Sequence, residues 1–424
     1  MNYKAIYNNY DLKANGYFII KIDVTSPKTN VFKYDLARSD GQIVTNQLYN
    51  ERKITIEGKI DANDYDEMLA KIDTLKQKLV GIDKNLDVYL GTQQRRYVAT
   101  CESFNYTTQG YFCEFEITFT ANAFGKDFNA TALTFGTYTS TPTTYTNTIA
   151  GSYKSKPYIN LKFSSVIPYI DNAYLQFYNP DTNQRLRITR KWGFEDTVII
   201  DGENKTVTAY PTDITAIDTC DSTTGWTVDT GETLSSESAL RIEGSASFKN
   251  TMSTTKASTF IQRLNGTSTD LSSTKGYVVV PLYIPNPATG TISSIRLRLG
   301  SDATLATNYV DYSVSTQYDG SAIQYSDWNY FKFDLSTAPT ASSGATNRAA
   351  ILSLQVAIVF TTTGKINGWY MDYVSLNKPS IIPQSVDYEG TFPDLGIGNT
   401  ALVVSDEFTK RSIVITGSYY KRYI

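Results

Sequence analysis

Ile20, Ile22 and Val24 alternate with Lys21 and Asp23, and Ile54, Ile56 and Ile60 alternate with Thr55, Glu57 and Lys59. Successive side chains of a strand point to opposite faces, so each run predicts a half-buried strand. The period then changes. Met68, Leu69, Ile72, Leu75, Leu79 and Val80 fall three and four apart, the spacing of one helical face. Asp64 stands three residues before Glu67 as a capping pair, and Gly81 suits the left-handed turn that closes a helix. A helix over 64–80 follows, its stripe expected to pack as core against the N-terminal sheet. Strands resume at Leu86–Leu90, Tyr97–Tyr106 and Phe112–Phe119, the last alternating Phe115, Ile117 and Phe119 with Glu114, Glu116 and Thr118.

Beyond residue 125 the strand signals continue without a second helix. Tyr158–Phe163 follows Pro157, Tyr174–Tyr178 runs into Asn179-Pro180-Asp181, and Val198–Ile200 leads to Asp201-Gly202, read as a tight hairpin turn. The composition shifts near residue 215. Ala216 to Lys378 holds 24 charged residues in 163 positions, against 57 in the other 261. Ser and Thr become frequent there. Short strands are expected at Tyr277–Tyr283, Ile295–Leu299, Tyr309–Val314, Tyr330–Leu335, Leu354–Phe360 and Trp369–Leu376, which together suggest a two-sheet sandwich. After Pro383 the chain regains the character it has before residue 215, with a strand at Ser412–Ser418. The expected organisation is a mainly β chain in which residues 1–125 form one unit. Residues 126–215 and 379–424 form a discontinuous β domain, interrupted by an insert at 216–378. An insertion of this kind is tolerated when the ends of the inserted unit lie close together.

Composition agrees with a folded β protein: 41% of residues are apolar and 13% aromatic, with 32 Tyr and 19 Phe. The net charge of −3 comes without a cluster of Lys and Arg, which argues against nucleic-acid binding. Cys101 and Cys113 sit on two arms of a hairpin turning near Gln109–Gly110, where Cys101 would face roughly residue 117 and Cys113 roughly residue 105. At the usual strand rise that separates them by about 13 Å, too far for a disulfide. Free buried thiols are expected, Cys220 included. The opening Met1-Asn2-Tyr3-Lys4 lacks the apolar stretch of a signal peptide, so synthesis in a cytoplasm is expected. The longest apolar run, Ala349 to Phe360, is about twelve residues, short of the roughly twenty a membrane helix needs.

Three stretches resemble the distal tail protein family of siphophages. The first is the N-terminal block of strands, one helix and a hairpin ending Phe119-Thr120-Ala121-Asn122-Ala123-Phe124-Gly125. The second is the strand–turn–strand Asp196 to Val207, centred on Ile200-Asp201. The third, Gly390-Thr391-Phe392-Pro393-Asp394-Leu395-Gly396-Ile397-Gly398-Asn399-Thr400, is similar to the family's G-x-F-P-x-L-x-x-G-x-N segment. The resemblance covers the 261 residues outside the insert. It implies a homo-hexameric ring at the end of the tail tube, with a ring-forming N-terminal domain and a galectin-like C-terminal sandwich. The tail tube protein and a tail-tip protein would be its partners, and the virion its location.

The insert is similar to jelly-roll carbohydrate-binding modules. Asp221-Ser222-Thr223-Thr224-Gly225-Trp226 resembles their opening, Gly244-Ser245-Ala246-Ser247-Phe248 the strand that follows, and Trp369 to Leu376 their closing strand. Ser326-Asp327-Trp328-Asn329-Tyr330 resembles a further strand that begins on Trp. Insertions in this phage family are associated with host-wall saccharides, so host cell-wall polysaccharide becomes the expected ligand. Sugar recognition uses an aromatic face beside groups that bind hydroxyls. Trp226, Tyr309 and Tyr325 are the candidates; Trp328 and Trp369 sit at strand starts where core packing is the simpler role. No cofactor is required by this reading. The resemblance also implies a structural calcium at Asp218, Asp221 and Asp372, with surface acids at strand ends as the plainer alternative.

Catalysis finds little support. The chain has no histidine, which excludes Ser-His-Asp and Cys-His arrangements and His-based zinc sites. Two carboxylates suffice for a glycosidase, yet nothing singles out a pair among 42 acids, and a non-enzyme is expected. Gly396-Ile397-Gly398-Asn399-Thr400-Ala401 lacks the strand and helix a dinucleotide loop needs and reads as a turn. Two rival readings remain: a free carbohydrate-binding adhesin, and a tail protein whose insert is a spacer or a contact to another baseplate component.

Overall fold

A computed structural model of the chain describes residues 3–35, 42–166, 170–193, 195–318, 320–408 and 411–424. The protein is mainly β, built of antiparallel sheets with a single α-helix among the described residues. No helix there is long and apolar enough to cross a membrane.

The N-terminal sheet runs in the order Tyr10–Asp11, Tyr3–Tyr7, Lys84–Leu90, Gln93–Gln109, Phe112–Ala121, Arg52–Asp61 and Tyr17–Val24. The helix Tyr65–Lys78 packs on it. Asp64 caps the first turn by accepting the Glu67 N–H at 2.7 Å, while Glu67 reaches back to the Asn63 N–H at 2.8 Å. Met68, Ile72, Leu75 and Leu79 are buried with Ile54, Ile56 and Ile60. Leu69 and Val80 of the expected stripe are exposed: Leu69 lies about 100° round the helix from Met68, and Val80 lies past the C-cap Leu79.

Bulges correct two further expectations. A shift in pairing between Ile19 and Lys21 turns Ile20 outward and places Ile19 and Ile22 in the core. In the hairpin that turns at Gly110-Tyr111, Cys113 faces Thr108, and a bulge after Cys101 leaves that residue opposite Phe119. The two thiols are therefore further apart than the simple register predicts. All three cysteines are free, with Cys113 and Cys220 buried and Cys101 half-buried.

Two further sheets join segments from before and after the stretch of low charge. One contains Thr131–Leu133, Thr137–Tyr138, Arg411–Tyr419, Pro157–Val166, Thr197–Asp201, Thr206–Tyr210 and Gln384–Ser385. The other contains Thr143–Ile149, Gly398–Asp406, Ile170–Asn179, Gln184–Trp192 and Glu389–Gly390. Leu161, Phe163, Phe177, Trp192, Val404 and Ile413 lie in the core between them. Asp201-Gly202 does not make a two-residue turn. Asp201 pairs with Thr206 across a four-residue loop, and its carboxylate accepts the N–H groups of Glu203 and Asn204. That local bonding stabilises the longer loop, and Lys205 supplies the left-handed residue in it.

The last strand, Arg422–Tyr423, returns to the N-terminal sheet and pairs with Gly125–Lys126. The Arg95 guanidinium lies 3.5 Å from the Tyr423 ring centroid and 2.9 Å from Asp127, and Glu203 takes Lys126 and Arg422 at 2.8 and 2.5 Å. These contacts tie the C-terminal sandwich to the N-terminal sheet.

The strands from Thr212 to Pro379 form two sheets of their own around a separate core that includes Phe248, Leu297, Val356 and Trp369. Thr212–Asp218 enters this sandwich and Val374–Pro379 leaves it as an antiparallel pair, with Thr212 opposite Pro379. The expected single strand Trp369–Leu376 is broken at Asp372-Tyr373. Its neighbour Tyr277–Ile284 carries Pro281, which has no N–H to donate. Across this point the pairing slips by one residue, from Val279 with Ser375 to Leu282 with Met371, and Tyr373 takes φ 42°. Met371 and Val374 face the core on either side of the slip, and Asp372 between them is buried and bonded to Ile242 and Glu243.

Candidate carbohydrate-binding site

One sheet of the insert runs in the order Trp226–Val228, Lys256–Arg263, Ser353–Gly364, Ile292–Gly300, Tyr309–Val314 and Ala341–Ser343. Ile261, Leu297, Val356 and Ile358 point into the core, so the alternate residues form the outer face. Cross-strand pairing aligns those residues in rows. Thr227, Gln262, Gln355, Arg298, Asp311 and Ala341 make one row across all six strands. Phe260, Ala357, Arg296 and Ser313 lie on one side of it. Gly300, Tyr309 and Ser343 lie on the other.

These side chains bond to one another. The Gln355 amide donates to Gln262 Oε1 at 2.9 Å and accepts from Arg296 Nη2 at 3.0 Å. Arg298 takes Asp311 through two bonds of 2.7 and 2.8 Å, and its guanidinium stacks 3.8 Å from the Tyr309 ring centroid. Two-pronged pairing and stacking each restrict the guanidinium, so the row is held before any ligand arrives. Gln355, Asp311, Ala357 and Gly300 are buried beneath their neighbours, while Gln262, Arg296, Arg298 and Tyr309 stay half-buried.

The loop after Gly300 flanks this face. The Asp302 carboxylate accepts the N–H groups of Thr304, Thr307 and Asn308 at 2.8, 3.1 and 2.7 Å, which holds it well below the usual carboxylate range. Leu305, in the left-handed region, packs against Gly300 where a Cβ would collide with it. Amide, guanidinium, carboxylate and phenol groups on one half-buried face can donate to and accept from hydroxyls, which is the chemistry a saccharide requires.

The aromatics expected from the sequence do not share this face. Tyr309 lies on it. Trp226 is only 6% exposed, its ring 5.2 Å from Phe248 and its indole N–H donating to Asp218 at 3.1 Å. It therefore packs as core. Tyr325, 43% exposed, precedes Asp327–Asp334, a strand of the opposite sheet. Trp369 is buried and donates to Thr259 at 3.1 Å. Trp328 stays half-buried and meets Tyr283 edge-on at 5.9 Å, beside the Tyr283–Tyr370 contact at 5.5 Å.

The three acids also separate. Asp218 holds Arg263 at 3.1 Å besides the Trp226 indole. Asp221 accepts from Ser245 and Ala246, and Asp372 accepts from Ile242 at 2.5 Å and Glu243 at 3.1 Å, so these two clasp the same loop from different strand ends. Asp372 Oδ1 is buried without a partner, and burial pushes this carboxyl up to about 6 against the pull of those N–H groups. Among the described residues, no three His, Cys, Asp or Glu side chains converge as a metal site. With Asp218 committed to Arg263, a calcium ion here would take Asp221 and Asp372 and complete its roughly six to eight oxygens from the backbone.

The central row was missed by aromatic counting. A signal was present: Arg296 and Arg298 alternate with Ile295, Leu297 and Leu299, placing two cations on the outer face of a strand in the charge-poor part of the chain.

No protein-family model and no curated protein matches the chain. Solved structures resemble parts of it. The crystal structure of the Dit protein of phage SPP1, described as a paradigm of the hub adsorption apparatus in phages that infect Gram-positive hosts, covers 49% of this chain and 83% of its own at 13% identity and a TM-score of 0.39. The phage p2 baseplate in its activated conformation with strontium matches over 49% of this chain and 83% of its own at 9% identity and a TM-score of 0.31. A carbohydrate-binding module specific for non-crystalline cellulose covers 38% of this chain and 91% of its own at 13% identity and a TM-score of 0.26. Scores this low settle neither fold family nor function.

Proposed function

We propose that the protein is a structural hub of a long-tailed phage: a distal tail protein whose copies form a hexameric ring between the tail tube and the tail tip. The inserted sandwich, hung outside that ring, grips host cell-wall saccharide during adsorption, and no catalysis is involved. The observation that carries the assembly is the hairpin of Thr29–Asp35 and Gln42–Tyr49. It pairs with no other strand among the described residues, and it exposes Val31 and Leu48. A lone two-stranded hairpin is marginal in water, so apolar residues on one are explained by another chain that covers them. The ordered motifs of the N-terminal block, Asp196–Val207 and Gly390–Thr400 support the distal tail reading, with a galectin-like sandwich outside the ring and a jelly-roll insert. In the insert, the polar row around Arg298 and Tyr309 supports saccharide capture. Six tethered copies make weak sites effective, because each bound site raises the local concentration for the next.

Light scattering on a sizing column tests the assembly. Hexamers of the 47.3 kDa chain, alone or in exchange with smaller forms, are the expected result. A strict monomer at every concentration would favour the free adhesin instead. Binding of the full-length protein to host wall polysaccharide separates capture from a spacer role for the insert.

A further inference from the structure

The outer face of the insert holds two guanidinium groups for one carboxylate. Asp311 gives both oxygens to Arg298. Arg296 lies two residues before Arg298 on the same strand and the same face, and it forms no ion pair among the described residues. Its Nη2 is spent on the neutral Gln355 amide, and its buried Nε has no partner. The residues directly across from it on either side are Ala357 and Ser313, neither of which carries a charge. Burial opposes its charge and the nearby Arg298 charge opposes it further, and the attraction of Asp311, already bonded to Arg298, only partly offsets them. A half-buried cation with no ion pair of its own is a cost to the fold, so its place here is better explained by a ligand than by stability.

We infer that Arg296 receives an anionic group of the bound saccharide, so that the ligand of this face is an acidic polymer bearing carboxylate or phosphate. The Nη1 end of the guanidinium makes no hydrogen bond among the described residues and is not buried, and with Nη2 it presents the forked donor geometry that both groups accept. The polar row from Gln262 to Asp311 and the Tyr309 ring then bind the neutral part of the chain. This inference rests on the reading that the insert binds a saccharide, and adds the charge of the ligand to it.

Titration calorimetry on the full-length protein tests it with three probes of matched length. These are a polygalacturonate oligomer, a phosphodiester-linked glycosyl polymer and a neutral galactan oligomer. At fixed ionic strength one anionic probe is expected to bind at least roughly tenfold more tightly than the neutral one, and the arm that does so identifies the group. Arg296→Gln is expected to abolish that preference. Arg296→Lys, which keeps the charge but not the fork, retains part of it and covers the case in which glutamine disturbs the fold. Lys275→Gln, a charge change outside this face, leaves the preference intact. Equal binding of neutral and anionic probes overturns the inference while sparing saccharide binding. So does a preference that survives Arg296→Gln, or one that falls equally with Lys275→Gln. Binding of none of the probes, nor of host wall polysaccharide, overturns both.

Discussion

Lys332 of the insert donates to Glu195 of the C-terminal sandwich at 2.8 Å, an ion pair that joins these two units. The Lys332 ammonium also lies 4.2 Å from the Tyr277 ring centroid and 5.2 Å from that of Tyr318. Together with the Asp196 carboxylate, which accepts the Thr212 N–H at 2.8 Å, this clasp fixes how the insert hangs from its host.

Loosening the clasp should free the insert without unfolding it. Burial pushes the Glu195 carboxyl up, but hydrogen bonds from Lys332 and Tyr318 outweigh it and leave the group below its usual value of 4.5. A lowered carboxylate contributes stability above its unfolded value and loses it as pH falls through the folded one. Docking is therefore expected to hold at pH 7 and to weaken below about pH 4.5. Lys332→Met should weaken it at pH 7, by about 1–3 kcal/mol, and have a smaller effect below about pH 4.5, where Glu195 takes up its proton. Small-angle scattering would show a wider spread of shapes, and an unchanged profile would rule the clasp out as a determinant.

Asp372 behaves in the opposite sense. Its carboxyl is raised from 3.8 to about 6, so its favourable contribution is complete below about pH 4 and disappears as pH rises through 6. Asp372→Asn should raise the melting temperature at pH 8, corresponding to at most about 3 kcal/mol, and make little difference at pH 4. A melting temperature that falls at pH 8 would show that the ionised form is the one the fold uses.

Calcium provides a separate check on the same residue. No cofactor is required by the proposed function, so chelator is expected to leave the melting temperature unchanged. A rise on adding calcium that is lost in Asp372→Asn would establish a structural ion at the clasped loop.

The two aromatics Tyr309 and Trp226 differ in their expected roles. Tyr309→Ala removes the ring stacked on Arg298 and should weaken saccharide binding roughly tenfold with little effect on melting. Trp226→Phe should do the reverse, because it deletes the indole N–H that serves the partly buried Asp218. Calorimetry and thermal melting on both variants separate the two, and loss of binding in Trp226→Phe at unchanged stability would reverse the assignment.

Ring assembly should depend on the hairpin. Val31→Asp with Leu48→Asp places charges on side chains that are 44% and 48% exposed in the single chain, so its stability is expected to stay within about 1 kcal/mol of the parent. The mass on a sizing column should fall to that of one chain. Retained hexamers would move the interface elsewhere.

The N-terminal unit was the most legible part. The helix is read from Asp64, Glu67 and the spacing of Met68, Ile72, Leu75 and Leu79, all within a few turns of one another. Ile20 shows the limit: alternation alone places it with Ile22, and a bulge set by pairing with a distant strand turns it outward. The candidate site was less legible. Trp226 and Tyr309 are both aromatics in short strands, and nothing local says that one is buried on Phe248 while the other stacks on Arg298.

The sequence by itself determined the mainly β class, the lone helix and the absence of histidine chemistry, because periodicity and composition are properties of neighbouring residues. Only the tertiary structure decided that Gln262, Gln355, Arg298 and Asp311 form a row, and that the pairing slips by one residue beside a buried Asp372. Those outcomes depend on register between strands far apart in the chain. A slip of one residue exchanges the inner and outer faces, which no window along a single strand can reveal.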